Sequence, residues 1–208
     1  MVDRCLTMVA VLQARAVIQI LEQASEHSNM DVDRGITPGT LLVAAPTIQS
    51  EYFRETIVLI TERNDGGHWG YIINKKTIAE VRTAVHQHGL EWPWQDFMYE
   101  AGPVNRSAMV MLHSHEWYSS NTLPVGQYAS ISSDKFMFEK MAEHDVPIHR
   151  RFVFGQSVWV QGQLEREIKT NRSWLTLPTN HAIIWDESPD QWKHAIEICA
   201  STTMDQYI

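Results

Sequence analysis

The sequence predicts a single α/β domain in which helices flank a mixed, mostly antiparallel sheet. Strand-like and helix-like segments alternate along the chain, as is typical of α/β folds. At least one hairpin signal interrupts the alternation, so the sheet is not expected to be purely parallel. The 208 residues, 44% of them hydrophobic and 20% charged, contain no repeat and no long linker. They are therefore enough for one domain with a hydrophobic core.

Composition and charge narrow the classes of function. The formal net charge is −8, which disfavours general nucleic-acid binding because such binding depends on neutralising phosphates with Lys and Arg. No apolar run approaches the roughly 20 residues of a membrane-spanning helix, so no membrane partner is expected. The two cysteines, Cys5 and Cys199, lack metal-binding or redox spacing. Unpaired thiols of this kind indicate a reducing compartment, the cytoplasm.

Residues 1–34 are predicted to be an N-terminal extension, and residues 35–208 to be the domain. Apolar residues recur at helical spacing between Val11 and Leu21, which indicates an appended amphipathic helix. A second interpretation is that translation starts at Met30 and that the preceding segment is not part of the protein. Both interpretations stay open at the level of sequence.

The first strands are bounded by turn residues. Thr40 to Ala45 is a short apolar strand that Pro46 ends. Thr56 to Arg63 and His68 to Asn74 are two further strands. The segment Asn64-Asp65-Gly66-Gly67 joins them, and its Asp and Gly residues tolerate the positive φ angles of a hairpin turn.

A helix is predicted after the hairpin. Thr77-Ile78-Ala79-Glu80 has the pattern of a capping box. Ile78, Val81 and Val85 then lie on one helical face, and Gly89 is the predicted stop. Further strands are predicted over five short runs: Phe97 to Glu100, Ala108 to His113, Phe152 to Phe154, Trp174 to Leu177 and Ala182 to Trp185.

Three more helices complete the prediction. Ser133 is expected to cap one of them, and Gln161 to Thr170 is expected to form the next. The last helix has Ser188 as its cap and Gln191 closing a capping box. Its apolar residues between Trp192 and Cys199 follow the i, i+3, i+4, i+7 pattern of a helix that faces the core.

The common catalytic signatures are missing from the sequence. It contains no glycine-rich phosphate loop, no nucleophile elbow and no zinc-protease motif. We therefore expect no enzyme, no cofactor and no metal. The nearest candidate metal ligands are His113 and His115, which a strand would place on one face. Glu116 would point away, and the alternative is a strand-end histidine bonded to the backbone.

Two local features of the sequence are compatible with a binding role. Lys75, Lys76, Arg150 and Arg151 form the dense basic spots, for which a solvated surface is favoured over a nucleic-acid contact. The second feature is the segment from Trp159 to Ile168. Its glycine would allow a ligand to approach the backbone at a helix N-terminus, where free N–H groups favour anions. Glutamates in the first turn compete with such an anion.

Several blocks of the sequence, taken in order, resemble the AlgH/YqgE family. The resemblance extends over roughly residues 38–197 and is carried by Gly39–Pro46, Phe53–Ile60, Asn64, Gly70–Lys75, Ala101–Val104, Leu112-His113, Gly162–Glu165, Asn171, Trp174-Leu175 and the helix from Trp192. Three departures stand out. Ala101 replaces a family glycine, Lys76 replaces a family proline, and Gln156–Val158 replaces most of an aromatic-Ala-Gly turn. Residues 1–34 have no counterpart.

The resemblance implies a small bacterial cytosolic protein with a mixed α/β fold, of a kind often described as a transcriptional regulator. Carried over by position, the candidate binding surface comprises Pro46, Asn64, Asn74, Gly102, Pro103, His113, Trp159, Gly162, Gln163 and Glu165. The alternative is that these residues shape turns. The leading functional hypothesis is a non-enzymatic module that binds a protein partner. The other two are direct nucleic-acid binding through the four basic residues, and a small-molecule or metal-dependent hydrolytic site near His113 and Glu165.

Overall fold

In a computed structural model, residues 35–86 and 89–205 of the protein are described. The predicted helix between Val11 and Leu21 lies outside them. The described residues form ten strands and five helices, so the predicted mixed α/β class is confirmed. The strands are β1 Leu41–Ala44, β2 Ile57–Asn64, β3 Gly67–Ile72, β4 Lys76–Glu80, β5 Phe97–Glu100, β6 Val104–His113, β7 Leu123–Val125, β8 Ala129–Ser132, β9 Arg150–Val160 and β10 Trp174–Leu177. The helices are α1 Val81–His86, α2 Lys135–Ala142, α3 Gln163–Lys169, α4 His181–Ile184 and α5 Gln191–Asp205.

One sheet contains all ten strands, and β9 is its central strand, because it pairs with β3, β5 and β6. The main order is β10-β1-β2-β3-β9-β6-β8-β7, with β5 paired to β4 and to β9. The β5–β9 pair is parallel and the others are antiparallel, as the sequence predicts. The first half of β9 lies between β5 and β6, and its second half pairs with β3. Residues at the two ends of β9 are therefore far apart.

The hairpin between β2 and β3 forms as predicted. The side-chain oxygen of Asn64 accepts a hydrogen bond from the N–H of Gly66 at 2.7 Å, as Asn does in tight turns. Gly67 has a φ angle of 135°, and a Cβ atom there would lie 1.9 Å from the carbonyl oxygen of Trp159. Only glycine lets β3 pair with β9 at this point.

The predicted capping box at Thr77 is wrong, because this segment is strand β4. The hydroxyl of Thr77 donates to the carbonyl of Met98 in β5 at 2.8 Å and accepts from the N–H of Ala79. The threonine therefore fastens β4 to its neighbour and does not cap a helix. Ile78, expected in the core, is 96% exposed. Helix α1 begins only at Val81, and its buried residues Val81 and Val85 are those predicted.

Other boundaries also differ from the prediction. The expected strand Ala182 to Trp185 is helix α4, because the side chain of Asn180 accepts from the N–H of Ile183 and caps a first turn. Asp134, one residue after the predicted Ser133, caps α2. Helix α5 begins at Gln191, whose side chain donates to the Ile183 carbonyl and so closes no capping box. The expected strand Phe152 to Phe154 extends over the whole of β9.

Helices cover the sheet through three apolar clusters. The apolar face of α5 packs on β1, β2 and β10, with Ala195, Ile196 and Cys199 buried as predicted. The opposite face of the same strands packs around Trp159 and Trp174. The third cluster lies under α1 and α2 on the β5–β9–β6 part of the sheet. It is the third cluster that is open to solvent on one side.

Candidate functional site

An open apolar groove of about 690 Å³ lies where α1 and α2 face each other across β5, β6 and β9. Its floor and walls include Val85, Leu90, Met98, Met109, Phe138 and Phe154. The polar residues of the groove are Arg106, Ser107, Ser133, Asp134 and Lys135. Its volume is within the range of small-molecule and cofactor sites.

An irregularity of β6 brings Arg106 to this groove. Val104 pairs with Gln156 and Met109 pairs with Phe154. Between these two pairs β6 advances by five residues and β9 by only two. The extra residues bulge away from the ladder. Asn105 has a φ angle of 52° within the bulge. The bulge thus presents Arg106 and its neighbours at one side of the groove.

A shared carboxylate controls the charge beside Arg106. Glu100 forms ion pairs with both Arg106 and Lys75 and accepts a hydrogen bond from the Tyr52 hydroxyl. Burial alone would raise the pKa of Glu100, but Arg106, Lys75 and Tyr52 together lower it. Burial and then the Glu100 charge raise the pKa of Tyr52 to about 12. Two cations share one carboxylate, which leaves an excess of positive charge on this side.

The carboxylate of Asp134 is occupied by the fold on the other side of the groove. It accepts hydrogen bonds from the N–H of Met137, the hydroxyl of Ser119 and the N–H of Asn121, at 2.7, 2.7 and 2.9 Å. Burial alone would raise the pKa of Asp134, and these hydrogen bonds outweigh it and lower the pKa. Lys135 next to it is exposed and forms an ion pair with Glu139, one turn further along α2. Such exposed pairs contribute little.

We expect the Asp134→Ala variant to lose about 1 to 2 kcal/mol of stability at pH 7, because α2 loses its N-cap. The folded-state pKa of Asp134 is below its unfolded value. The contribution of Asp134 is therefore complete above the unfolded pKa and disappears as the pH falls through the folded pKa. Urea unfolding of both proteins from neutral to acidic pH measures this. A difference that stays constant into strong acid would contradict the assignment, and Asp134→Asn should retain most of the stability.

The candidate residues Trp159 and Gln163 meet in a second cluster, around Glu167. One carboxylate oxygen of Glu167 accepts from the indole N–H of Trp159 at 3.0 Å and of Trp174 at 2.9 Å. The other oxygen accepts from the side-chain amide of Gln163 at 2.8 Å. Phe53 stacks on Trp159 and contacts Trp174 edge to face. From the sequence, Glu167 is one of the glutamates expected in the first turn of this helix, and its spacing of four residues from Gln163 puts both on one face.

Gly162 and Glu165 lie beside this cluster without forming an anion site. Gly162 caps α3 with a φ angle of 74°, and a Cβ atom there would meet nothing within 4 Å. The glycine therefore serves the backbone angle, and the expected close approach is not seen. Glu165 lies 3.9 Å from the buried imidazole of His68. Burial lowers the pKa of His68, and Glu165 opposes this shift.

The remaining turn candidates hold strands together. Asn74 accepts from the N–H of Ile57 and donates to the carbonyl of Glu55, both at 2.8 Å. It thereby joins the end of β3 to the start of β2. Pro46 lies in a turn closed by the hydrogen bond from the N–H of Ile48 to the Ala45 carbonyl.

Gly102 occurs where two backbones touch. A Cβ atom on Gly102 would lie 2.0 Å from the carbonyl carbon of Gln156 and 2.3 Å from the nitrogen of Ser157. Pro103 follows it on the surface. Gly102 is therefore required for β9 to pass this close.

His113 does not converge with the Trp159 cluster. It pairs with Arg150 at the start of β9, whereas Trp159 is near the end of that strand. Its Nδ1–H donates to the Ser114 carbonyl, and its Nε2 is hydrogen-bonded to the Ser132 hydroxyl, both at 2.9 Å. Burial lowers the pKa of His113. Within residues 35–86 and 89–205, no group of three or more His, Cys, Asp or Glu side chains could hold a metal ion.

The four basic residues are each engaged with neighbours in the fold. Arg151 is 2% exposed and donates to the carbonyls of Ile73 and Asp186 at 2.8 and 2.6 Å. Such a buried guanidinium does not reach a phosphate backbone. Arg150 pairs with Asp96, and Lys76 lies over the Phe97 ring. The described structure therefore gives no support to the nucleic-acid hypothesis. None of the ten candidate residues is among those that line the groove.

Comparison of the sequence with known proteins identifies the family of this chain. The AlgH-like family model (DUF179) matches residues 41–203. The chain belongs to the AlgH-like family. A UPF0301 protein of Thioalkalivibrio sulfidiphilus is 30% identical over 158 residues, which cover 74% of this chain and 84% of the relative. A UPF0301 protein of Rhizobium leguminosarum bv. trifolii is 28% identical over 172 residues, covering 76% and 83%.

Solved structures share the AlgH-like fold. The solution structure of AlgH from Pseudomonas aeruginosa has a TM-score of 0.67 and 23% identity, covering 82% of this chain and 92% of that one. A crystal structure from Corynebacterium diphtheriae has a TM-score of 0.63 and 20% identity, covering 82% and 99%. Among the described residues of this AlgH-like chain, no helix is long and apolar enough to cross a membrane.

Proposed function

We propose that this AlgH-like chain is a non-enzymatic regulatory module of the cytoplasm that binds a segment of a partner protein in the groove between α1 and α2. The observation that carries the proposal is an open apolar groove with cations at its border, on a chain whose formal net charge is −8. An exposed apolar depression with a polar border is typical of an interaction site.

The chemistry of the groove specifies the partner segment. Its apolar floor accepts adjacent aliphatic or aromatic side chains, and the flexible side chains of Met98 and Met109 adjust to their shape. Three charged residues line it, and the carboxylate of Asp134 is already committed to three hydrogen bonds. Arg106 shares the Glu100 carboxylate with Lys75, and Lys135 has only an exposed ion pair with Glu139 among the described residues, so both cations favour a carboxylate on the bound segment. The expected ligand is a segment with two or three apolar residues next to Asp or Glu.

The same lining disfavours catalysis. It contains no histidine and no cysteine among its described residues. Neither Ser107 nor Ser133 therefore has an imidazole in the groove that could act as a general base. Binding without chemistry is the role that these side chains fit.

Selection from a displayed peptide library tests the proposal. We expect the wild-type protein to enrich peptides that combine apolar residues with an acidic one. Ala108 is exposed and lines the groove, so Ala108→Trp should fill the groove without disturbing the core. We expect this variant to bind the selected peptides at least roughly tenfold more weakly.

Ala182→Trp is the matched control, since Ala182 is exposed on α4 and outside the groove lining. It should bind the peptides as the wild type does. The proposal fails if no peptide is enriched, or if Ala108→Trp and the wild type bind the selected peptides equally well.

A further inference from the structure

Strand β4 presents an uncovered apolar residue at an edge of the sheet. Among the described residues, β4 pairs with β5 alone. Ile78 at its centre is 96% exposed. Lys76 pairs with Tyr99 and Glu80 pairs with Phe97, so β4 advances by four residues where β5 advances by two. The extra residues bulge from the ladder, with Ile78 at their centre. An exposed β-branched residue on an unpaired edge is a ready contact for another strand.

The charges around Ile78 are symmetric in a way that fits a second copy of the same chain. Lys76 and Glu80 flank it two residues away on either side, and both are exposed. In an antiparallel pair of two β4 strands centred on Ile78, each isoleucine faces its equivalent. Lys76 of each copy then faces Glu80 of the other. One two-fold contact therefore contains an apolar centre and two opposite-charge pairs.

We propose that β4 is a self-association surface, through which two copies of the chain pair antiparallel across a two-fold axis at Ile78. The contact adjoins the groove, since Ile78 and Glu80 border a shallow depression that shares Ala79 and Met98 with it. Lys76, Ile78 and Glu80 are not among the residues that line the groove itself, and the side chain of Lys76 lies over the Phe97 ring. The interface is small, so that the dimer is weak and dependent on concentration. The proposal rests on the free edge, exposure and charges of β4, and it does not depend on the function proposed above.

Sedimentation velocity over a concentration series tests the contact with charge-reversal variants. Lys76→Glu and Glu80→Lys each place like charges opposite one another and should weaken the dimer roughly tenfold or more. The double variant Lys76→Glu/Glu80→Lys restores both pairs and should dimerise as the wild type does. Recovery in the double variant is the result that a merely structural effect of the single changes would not give.

Ile78→Asp should abolish the dimer while leaving the fold intact, since the side chain is exposed. Ile148→Asp is its matched control, because Ile148 is 76% exposed elsewhere on the surface. It should leave the dimer unchanged. Two results overturn the proposal: a wild type that stays monomeric up to about 1 mM, or a dimer whose dissociation constant is indifferent to the charge reversals and to Ile78→Asp.

Discussion

Replacing Glu167 by alanine should lower the free energy of unfolding by about 3 kcal/mol. Trp159 and Trp174 are 2% and 3% exposed, and the Glu167 carboxylate accepts hydrogen bonds from both indole N–H groups. Water cannot easily replace that acceptor in the variant. Each buried donor left without a partner costs about 1 to 3 kcal/mol. Urea unfolding followed by circular dichroism measures the loss, and tryptophan fluorescence reports the changed surroundings of the two indoles.

Two further variants separate this role from a general effect of removing a charge. Glu167→Gln keeps one acceptor oxygen, so we expect a smaller loss, of about 1 kcal/mol. Glu197 is exposed on α5, and Glu197→Ala should change the stability by no more than about 0.5 kcal/mol. If Glu167→Ala is as mild as Glu197→Ala, the carboxylate does not hold the two tryptophans together.

Gly102→Ala is the second change with a large expected effect, a loss of about 3 kcal/mol. The added Cβ atom would lie 2.0 and 2.1 Å from the carbonyl carbon and oxygen of Gln156. These are backbone atoms, so no side-chain rotation relieves the clash, and β9 must move away. Thermal unfolding combined with urea titration measures the cost.

Gly162→Ala is the natural comparison, because it isolates the backbone angle. Gly162 has a φ angle of 74°, but an added Cβ atom meets nothing within 4 Å. We expect a loss of about 1 kcal/mol from the left-handed conformation alone. A larger loss for Gly162→Ala than for Gly102→Ala would contradict the role given to close approach at Gly102.

The parts of the fold that local chemistry determines could be predicted from the sequence. The β2–β3 hairpin follows from Asn64, whose side-chain oxygen accepts from the N–H of Gly66 within the turn itself. The buried face of α5 follows from helical spacing. Strand β4 could not be predicted in this way. The decisive bond of Thr77 goes to Met98, and nothing near Thr77 in the sequence reveals it.

The groove is harder still to predict, because its residues come from separate parts of the chain. Met98, Met109 and Phe138 lie on β5, β6 and α2, and only the packing of these elements brings them together. The irregular pairing of β6 that presents Arg106 carries no recognisable sequence signal. Residues with conspicuous local patterns have structural roles instead. Gly162 adopts the left-handed φ angle at the start of α3, and the side chain of Asn74 donates to the Glu55 carbonyl.

The binding role of the groove is tested most directly by methyl NMR of the protein with labelled methionines and an excess of a selected peptide. Met98 and Met109 line the groove, whereas Met137 and Met141 are fully buried on the core-facing side of α2. We predict that the methyl signals of Met98 and Met109 shift on addition of the peptide and that those of Met137 and Met141 change least. Unmoved Met98 and Met109 signals, with the perturbation at the indole N–H groups of Trp159 and Trp174 instead, would contradict the account.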